Sequence, residues 1–326
     1  MNRSTLLLSV MFISWPHLGL CSGQDEVAIL RGPYLGQEPP GMRPEIFAPG
    51  IISTGYSERT AVFTPDGKEF YFSLWGAPHG VTLFMREEKG RWTKPRVASF
   101  SGRYAEGFNM SPDGKKIVFA SDRPFDGTGE PLDTYPIWIV ERTDLRWGEP
   151  RNPRPSLTGH PTISETGTLY FATVYEGGSG GDDIYRSTFV DGEYGEVENL
   201  GNSINTEVDE YDPFIAPDES YLIFIRRVPE SGLDLFVSFR DNGSWTEATN
   251  MGDDVNSSSG EICPSVSPDG KYLFFTSYRT LHRDHSETAL TYEEKIRILD
   301  NPGNGLGDIY WMDAGIIEEL KPERLR

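Results

Sequence analysis

The sequence predicts an all-β fold: a single five-bladed β-propeller of four-stranded antiparallel blades, closed by an N-terminal strand. Three observations lead there. One turn pattern occurs five times, as Thr64-Pro65-Asp66-Gly67-Lys68, Ser111-Pro112-Asp113-Gly114-Lys115, Ser164-Glu165-Thr166-Gly167-Thr168, Ala216-Pro217-Asp218-Glu219-Ser220 and Ser267-Pro268-Asp269-Gly270-Lys271. The third residues of successive copies are 47, 53, 52 and 51 positions apart, the spacing of a multi-strand propeller repeat. Finally, the fifth unit stops after its third strand, while the N-terminal end carries an unmatched strand. A six-bladed ring is the alternative count.

The N-terminal residues come first. Arg3, the apolar stretch Leu6–Leu20 and the small residues Ser22 and Gly23 read as an export signal over 1–23. Leu18-Gly19-Leu20-Cys21 resembles a bacterial lipobox, with Leu20 departing from the small residue preferred there, so a lipid anchor at Cys21 is the alternative to plain secretion. Either outcome places the mature protein in the periplasm or outside the cell. No later run is long and apolar enough to span a bilayer. Residues 24–43 form an extension, and Cys263 has no disulfide partner.

The propeller spans 44–315. In the fourth unit Tyr211–Ala216 is the inner strand, and Pro and Asp of the turn supply its φ and its side-chain cap. Tyr221–Ile225 is the second strand and Leu233–Phe239 the third, with Asp241-Asn242-Gly243 as a hairpin turn. Trp245 opens the outer strand. Trp92, Trp147 and Tyr194 recur at that place and read as wedges between blades. The fifth unit ends near residue 315 and a tail follows over 316–326. Residues 44–53 supply the missing outer strand and seal the ring.

The Ser-Pro-Asp-Gly-Lys turns, the apolar strands after them and the Asp-Ile-Tyr third strands resemble the WD-like repeats of TolB-type proteins. The resemblance covers about 44–315 and departs at Glu165-Thr166-Gly167 and Asp218-Glu219. It implies an exported propeller that works through protein contacts, without the separate domain that precedes the TolB propeller. Similar repeats occur in secreted proteins of unknown role, in peptidase propeller domains and in oligogalacturonate lyases.

Propeller loops alternate between two faces. The Pro-Asp-Gly turns are short, which predicts a plain face. The opposite rim carries long loops: Arg123–Tyr135, Glu176–Asp182, Arg227–Gly232 and above all 279–307, where Thr291 to Glu294 reads as a capping box for a helix packed through Ile296, Ile298 and Leu299. That rim also collects the candidate ligand-binding residues: Glu58, Glu106, Glu210 and Glu261 ahead of the turns, Arg123, Arg227 and Arg279 beyond second strands, and the symmetry-breaking His160 and Tyr175. Glu207, Asp209 and Asp212 make an acidic cluster there, and His282 and His285 lie in the insertion.

A carboxylate ring at a channel mouth offers oxygen ligands to a divalent cation, and with the arginines it suits a sugar or uronate. Its architectural reading is ion pairing that locks blade to blade. No other cofactor is indicated. The net charge of −20 argues against nucleic acid. The favoured function is non-enzymatic binding of an envelope or extracellular protein or glycan through the long-loop rim. The alternative is a carbohydrate-active enzyme, a glycoside hydrolase or uronate lyase, using carboxylates at the mouth.

Overall fold

The computed structural model describes residues 30–326, apart from 77–78, 102–105, 145, 230–231 and 282–289. The export signal, Cys21, the start of the extension, His282 and His285 lie outside the described residues. Five antiparallel sheets surround a central axis.

The inner strands are Ser57–Phe63, Glu106–Met110, Pro161–Ile163, Glu210–Ile215 and Glu261–Val266. The second strands are Glu69–Trp75, Lys116–Ala120, Leu169–Thr173, Tyr221–Val228 and Tyr272–Ser277. The third are Val81–Glu88, Ile137–Thr143, Asp183–Val190, Gly232–Asp241 and Asp308–Asp313. Blade five takes its outer strand from the other end of the chain: Glu45 and Ile46 pair antiparallel with Trp311 and Tyr310. Five blades and the borrowed strand are as the sequence predicts.

The turns follow their chemistry. Asp66 Oδ1 accepts from the Thr64 hydroxyl and the Lys68 amide, and Asp113 and Asp269 do the same with Ser111 and Ser267. Gly67, Gly114 and Gly270 take the positive φ that each turn requires.

Second strands are buried on both faces, since each blade has a neighbour on each side. Phe70 and Phe72 point into the cluster shared with blade five, while Tyr71 between them points into the cluster shared with blade two. There are five such apolar clusters, one per blade interface. The outer aromatics wedge as expected: Trp147 donates its indole N–H to Tyr71 Oη at 2.9 Å, and Trp245 meets the Tyr170 ring edge-on. Phe47, just past the closing strand, packs against Phe63, Phe70, Phe274 and Trp311 and joins blades one and five.

The insertion contains helix α1, Tyr292–Leu299, with the capping box at Thr291 and Glu294 in place. The expected packing of its apolar side is corrected. None of its residues is buried, and Ile296 and Leu299 are exposed, since among the described residues no element covers them. A second short helix, α2 (Gly315–Leu320), caps blades four and five through Ile317.

Candidate functional site

The axial channel has three parts. On the turn face lies an apolar hollow of ≈ 340 Å³, walled by Val62, Met110, Ile163, Phe214 and Val266 with the turn prolines Pro65, Pro112, Pro217 and Pro268. That face is therefore not plain, as its short turns suggest, because the prolines and inner-strand ends form a cup. Val62, Asn109 and Ser265 continue into a waist of ≈ 30 Å³, about the space of one water. His160 and Asp212 lead from the waist to a hollow of ≈ 250 Å³ on the long-loop face, beside Tyr135 and Asp182.

The waist is a ring of equivalent positions, five residues ahead of each turn's second residue: Thr60, Gly107, His160, Asp212 and Cys263. Four of these residues have positive φ: 57° at Thr60, 46° at Gly107, 41° at Asp212 and 53° at Cys263. The ladder to the second strand slips at the same places, so the inner strands bulge into the axis there. Three ring residues precede a proline (Pro161, Pro213, Pro264), which offers no amide to the ladder. Left-handed backbone at Thr, Asp and Cys is strained, and the bulged ladder around each residue holds it in place.

The ring side chains are linked. His160 Nδ1 lies 2.6 Å from Asp212 Oδ1. Asp212 Oδ2 accepts from the Cys263 amide at 3.3 Å and from its thiol at 3.4 Å. Burial would raise the Asp212 carboxyl, but the His160 charge and these hydrogen bonds outweigh it and hold the group below its ordinary range. Burial, then the Asp212 charge, push the Cys263 thiol well up, so it is a hydrogen-bond donor and not a thiolate nucleophile. Asp182 is raised by burial and by Asp209.

The repeated glutamates are placed differently from the rim positions the sequence suggests. Glu58, Glu210 and Glu261 are buried. Each accepts from the hydroxyl and amide of a residue four positions earlier: Thr54, Thr206 and Ser257. Burial raises Glu58 and Glu210 despite these bonds. Arg226 donates to Glu210 at 2.8 Å and to the Ile204 carbonyl, and Arg279 pairs with Glu261 and the Val255 carbonyl. These pairs lie within one blade and fasten it to the loop that enters it, in place of the blade-to-blade pairing the repeat suggests.

Arg123 does the same to the Phe100 carbonyl, stacked near Phe119 and Trp138; burial lowers it to about 10. Arg227 is at the surface with Asp209 and Tyr211, so the architectural arginine of blade four is its neighbour Arg226. Tyr175 donates to the Ser156 carbonyl and meets the Tyr185 ring edge-on. Glu106 opens the inner strand of blade two opposite Ala120. Of the residues singled out from the sequence, His160 and Asp212 reach the waist. Among the described residues, no three His, Cys, Asp or Glu side chains are placed to hold a metal ion.

Two site residues escaped the sequence reading. Cys263 is signalled by its place before Pro264, matching His160 and Asp212. Arg59 stands where the other blades have Glu106, Gly159, Tyr211 and Ile262, and alignment on the turns would have exposed it. Its guanidinium lies 4.3 Å from the Trp75 ring centroid and 5.7 Å from that of Tyr278.

No protein-family model matches the chain, and no curated protein matches it by sequence. Among solved structures it is similar to TolB from Acinetobacter baumannii, at 16% identity and TM-score 0.48 over 79% of this chain; it spans 57% of that one. It is similar to a protein assigned as TolB from Agrobacterium tumefaciens, at 18% identity and TM-score 0.49, over 79% of this chain and 90% of that one. It is similar to the α-L-arabinofuranosidase from Lactobacillus brevis, at 12% identity and TM-score 0.48, over 80% and 91%.

Proposed function

We propose that this chain is an exported binding propeller without catalytic activity, which holds a protein or glycan partner on its long-loop face and seats a polar group of that partner in the channel mouth. The observation that carries the reading is the bulged ring. Thr60, Asp212 and Cys263 hold a left-handed backbone at the bulges that carry their inner strands into the axis. They surround His160, the ring member that departs most from its counterparts in chemistry. The exposed apolar side of α1, with Tyr292 at 75% exposure, adds docking surface beside the mouth. Asp182 and Asp212 both line the mouth, but Asp212 is already engaged by His160 and Cys263, which disfavours a two-carboxylate mechanism.

The second reading, an enzyme acting on carbohydrate, is favoured by the His160–Asp212 pair, the arrangement that orients a general base. Binding and product release measured on a panel of envelope glycans and on proteins captured from envelope extracts separate the two. The binding reading expects a saturable partner, lost in His160→Ala, with no product. Product formed by the wild type and abolished in His160→Ala would replace it with the enzyme. Ring variants that alter only thermal stability would make the ring structural and end both readings.

A further inference from the structure

We infer that Arg59 anchors a carboxylate of the seated ligand, and that the ligand is a sugar bearing one carboxylate, a terminal uronate. The inference deepens the channel-mouth reading and rests on it. The other well-covered arginines already have acceptors: Arg86 and Arg142 share Glu69, Arg226 has Glu210, and Arg279 has Glu261. Arg142 Nε is also unmet, but its guanidinium has Glu69, whereas Arg59 makes no ion pair or hydrogen bond among the described residues and its Nε is buried without a partner. A buried donor left unmade is costly, so such a group marks a missing acceptor.

Location supplies the second argument. Arg59 adjoins Thr60 in the ring, and its charge bears on Cys263 and Tyr278 across the junction of blades one and five. Trp75 and Tyr278 lie beside the guanidinium at 4.3 and 5.7 Å, and a planar guanidinium matches a carboxylate through two parallel N–H bonds.

The remainder of the mouth suits a sugar. Asp182 and Asp212 line the mouth, where a carboxylate can accept from sugar hydroxyls, and the Tyr135 ring beside them can take the C–H face of a pyranose. Those same aspartates, with a net charge of −20, disfavour a polyanion, so one carboxylate per ligand end is the match.

The test uses two ligands that differ only at that group, 4-nitrophenyl β-glucuronide and 4-nitrophenyl β-glucoside, titrated against the full chain by ligand-observed NMR. The glucuronide is expected to bind about tenfold tighter, a charge-assisted bidentate contact being the difference. Arg59→Met should remove the preference, bringing the ratio of the two affinities close to one. Arg59→Lys, which keeps the charge, should retain part of it, and melting curves verify that both variants fold.

Equal affinities in the wild type, no glucuronide binding, or a preference that survives Arg59→Met would overturn the inference. So would tighter binding of N-acetyl-Gly-Gly than of the glucuronide, relative to its amide, since the carboxylate would then belong to a peptide. His160→Ala separates this from the parent reading. If it weakens both sugars alike while Arg59→Met changes nothing, the mouth stands and Arg59 falls. If the Arg59-dependent preference persists unaltered in His160→Ala, the anion site stands and the mouth reading falls.

Discussion

Arg226 and Arg227 are adjacent in the chain and face different surroundings. Arg226 is mostly covered and reaches the fully buried Glu210, whereas Arg227 meets Asp209 in the open. Removing one partner of a buried pair strands the other charge, so Arg226→Ala should cost about 3 kcal/mol in chemical denaturation. Arg227→Ala should cost less than about 1 kcal/mol, as exposed pairs do. Equal losses would refute the assignment of Arg226 as the fastening residue. The repetition of Glu58, Glu210 and Glu261 was legible in the sequence. Their burial was not, because a carboxylate capped by its own loop and one offered to a ligand have the same spacing. His160, Asp212 and Cys263 were legible only as departures from a repeat, and their convergence on one ring requires the bulge that brings them to the axis.

At the scale of elements, third strands carry a buried aspartate at or near their start in three blades: Asp183, Asp234 and Asp308. In blade four Asp234 lies opposite Arg226 in the ladder, but Asp308 lies opposite Ser277 and near Glu58. Burial, helped by the Glu58 charge, therefore lifts the Asp308 carboxyl from 3.8 to about 7 against the opposing Gly303 amide bond. The folded state then holds a proton that the unfolded chain has released. Stability is greatest below the lower value, declines as pH rises between the two, and stays reduced above the higher. Asp308→Asn keeps the Gly303 bond and abolishes the ionisation. Its stability in chemical denaturation should gain on the wild type from pH 5 to pH 8, by an amount on the order of 3 kcal/mol at the upper end. A difference independent of pH would refute the account. Helix α1 teaches a related lesson: its cap was readable four residues in, but whether anything would cover its apolar side depends on neighbours no local pattern encodes.

For the whole molecule, the blade count and the identity of the sealing strand followed from the turns and from one missing outer strand, since a repeat reports its own period. The apolar cup on the turn face did not, because a cavity arises from five inner strands together and from none alone. The seal joins only two residues of strand on each side, so Phe47 behind it carries the closure. Phe47→Ala should cost about 3–5 kcal/mol and broaden the thermal transition, as blades one and five lose their shared packing. A sharp transition with a loss below about 1 kcal/mol would show that the ring holds without it. The Ser53 hydroxyl accepts from the Ile309 amide, a partner 256 residues further along. A chain synthesised from its N-terminus must therefore wait for its last strand before its first can settle. Contacts of such separation make folding slow, and the uncovered aromatic edge of the first blade is sticky throughout the delay. Acquisition of the native ring thus becomes a single late event, giving any escort or transport machinery the entire period of synthesis in which to hold the chain open.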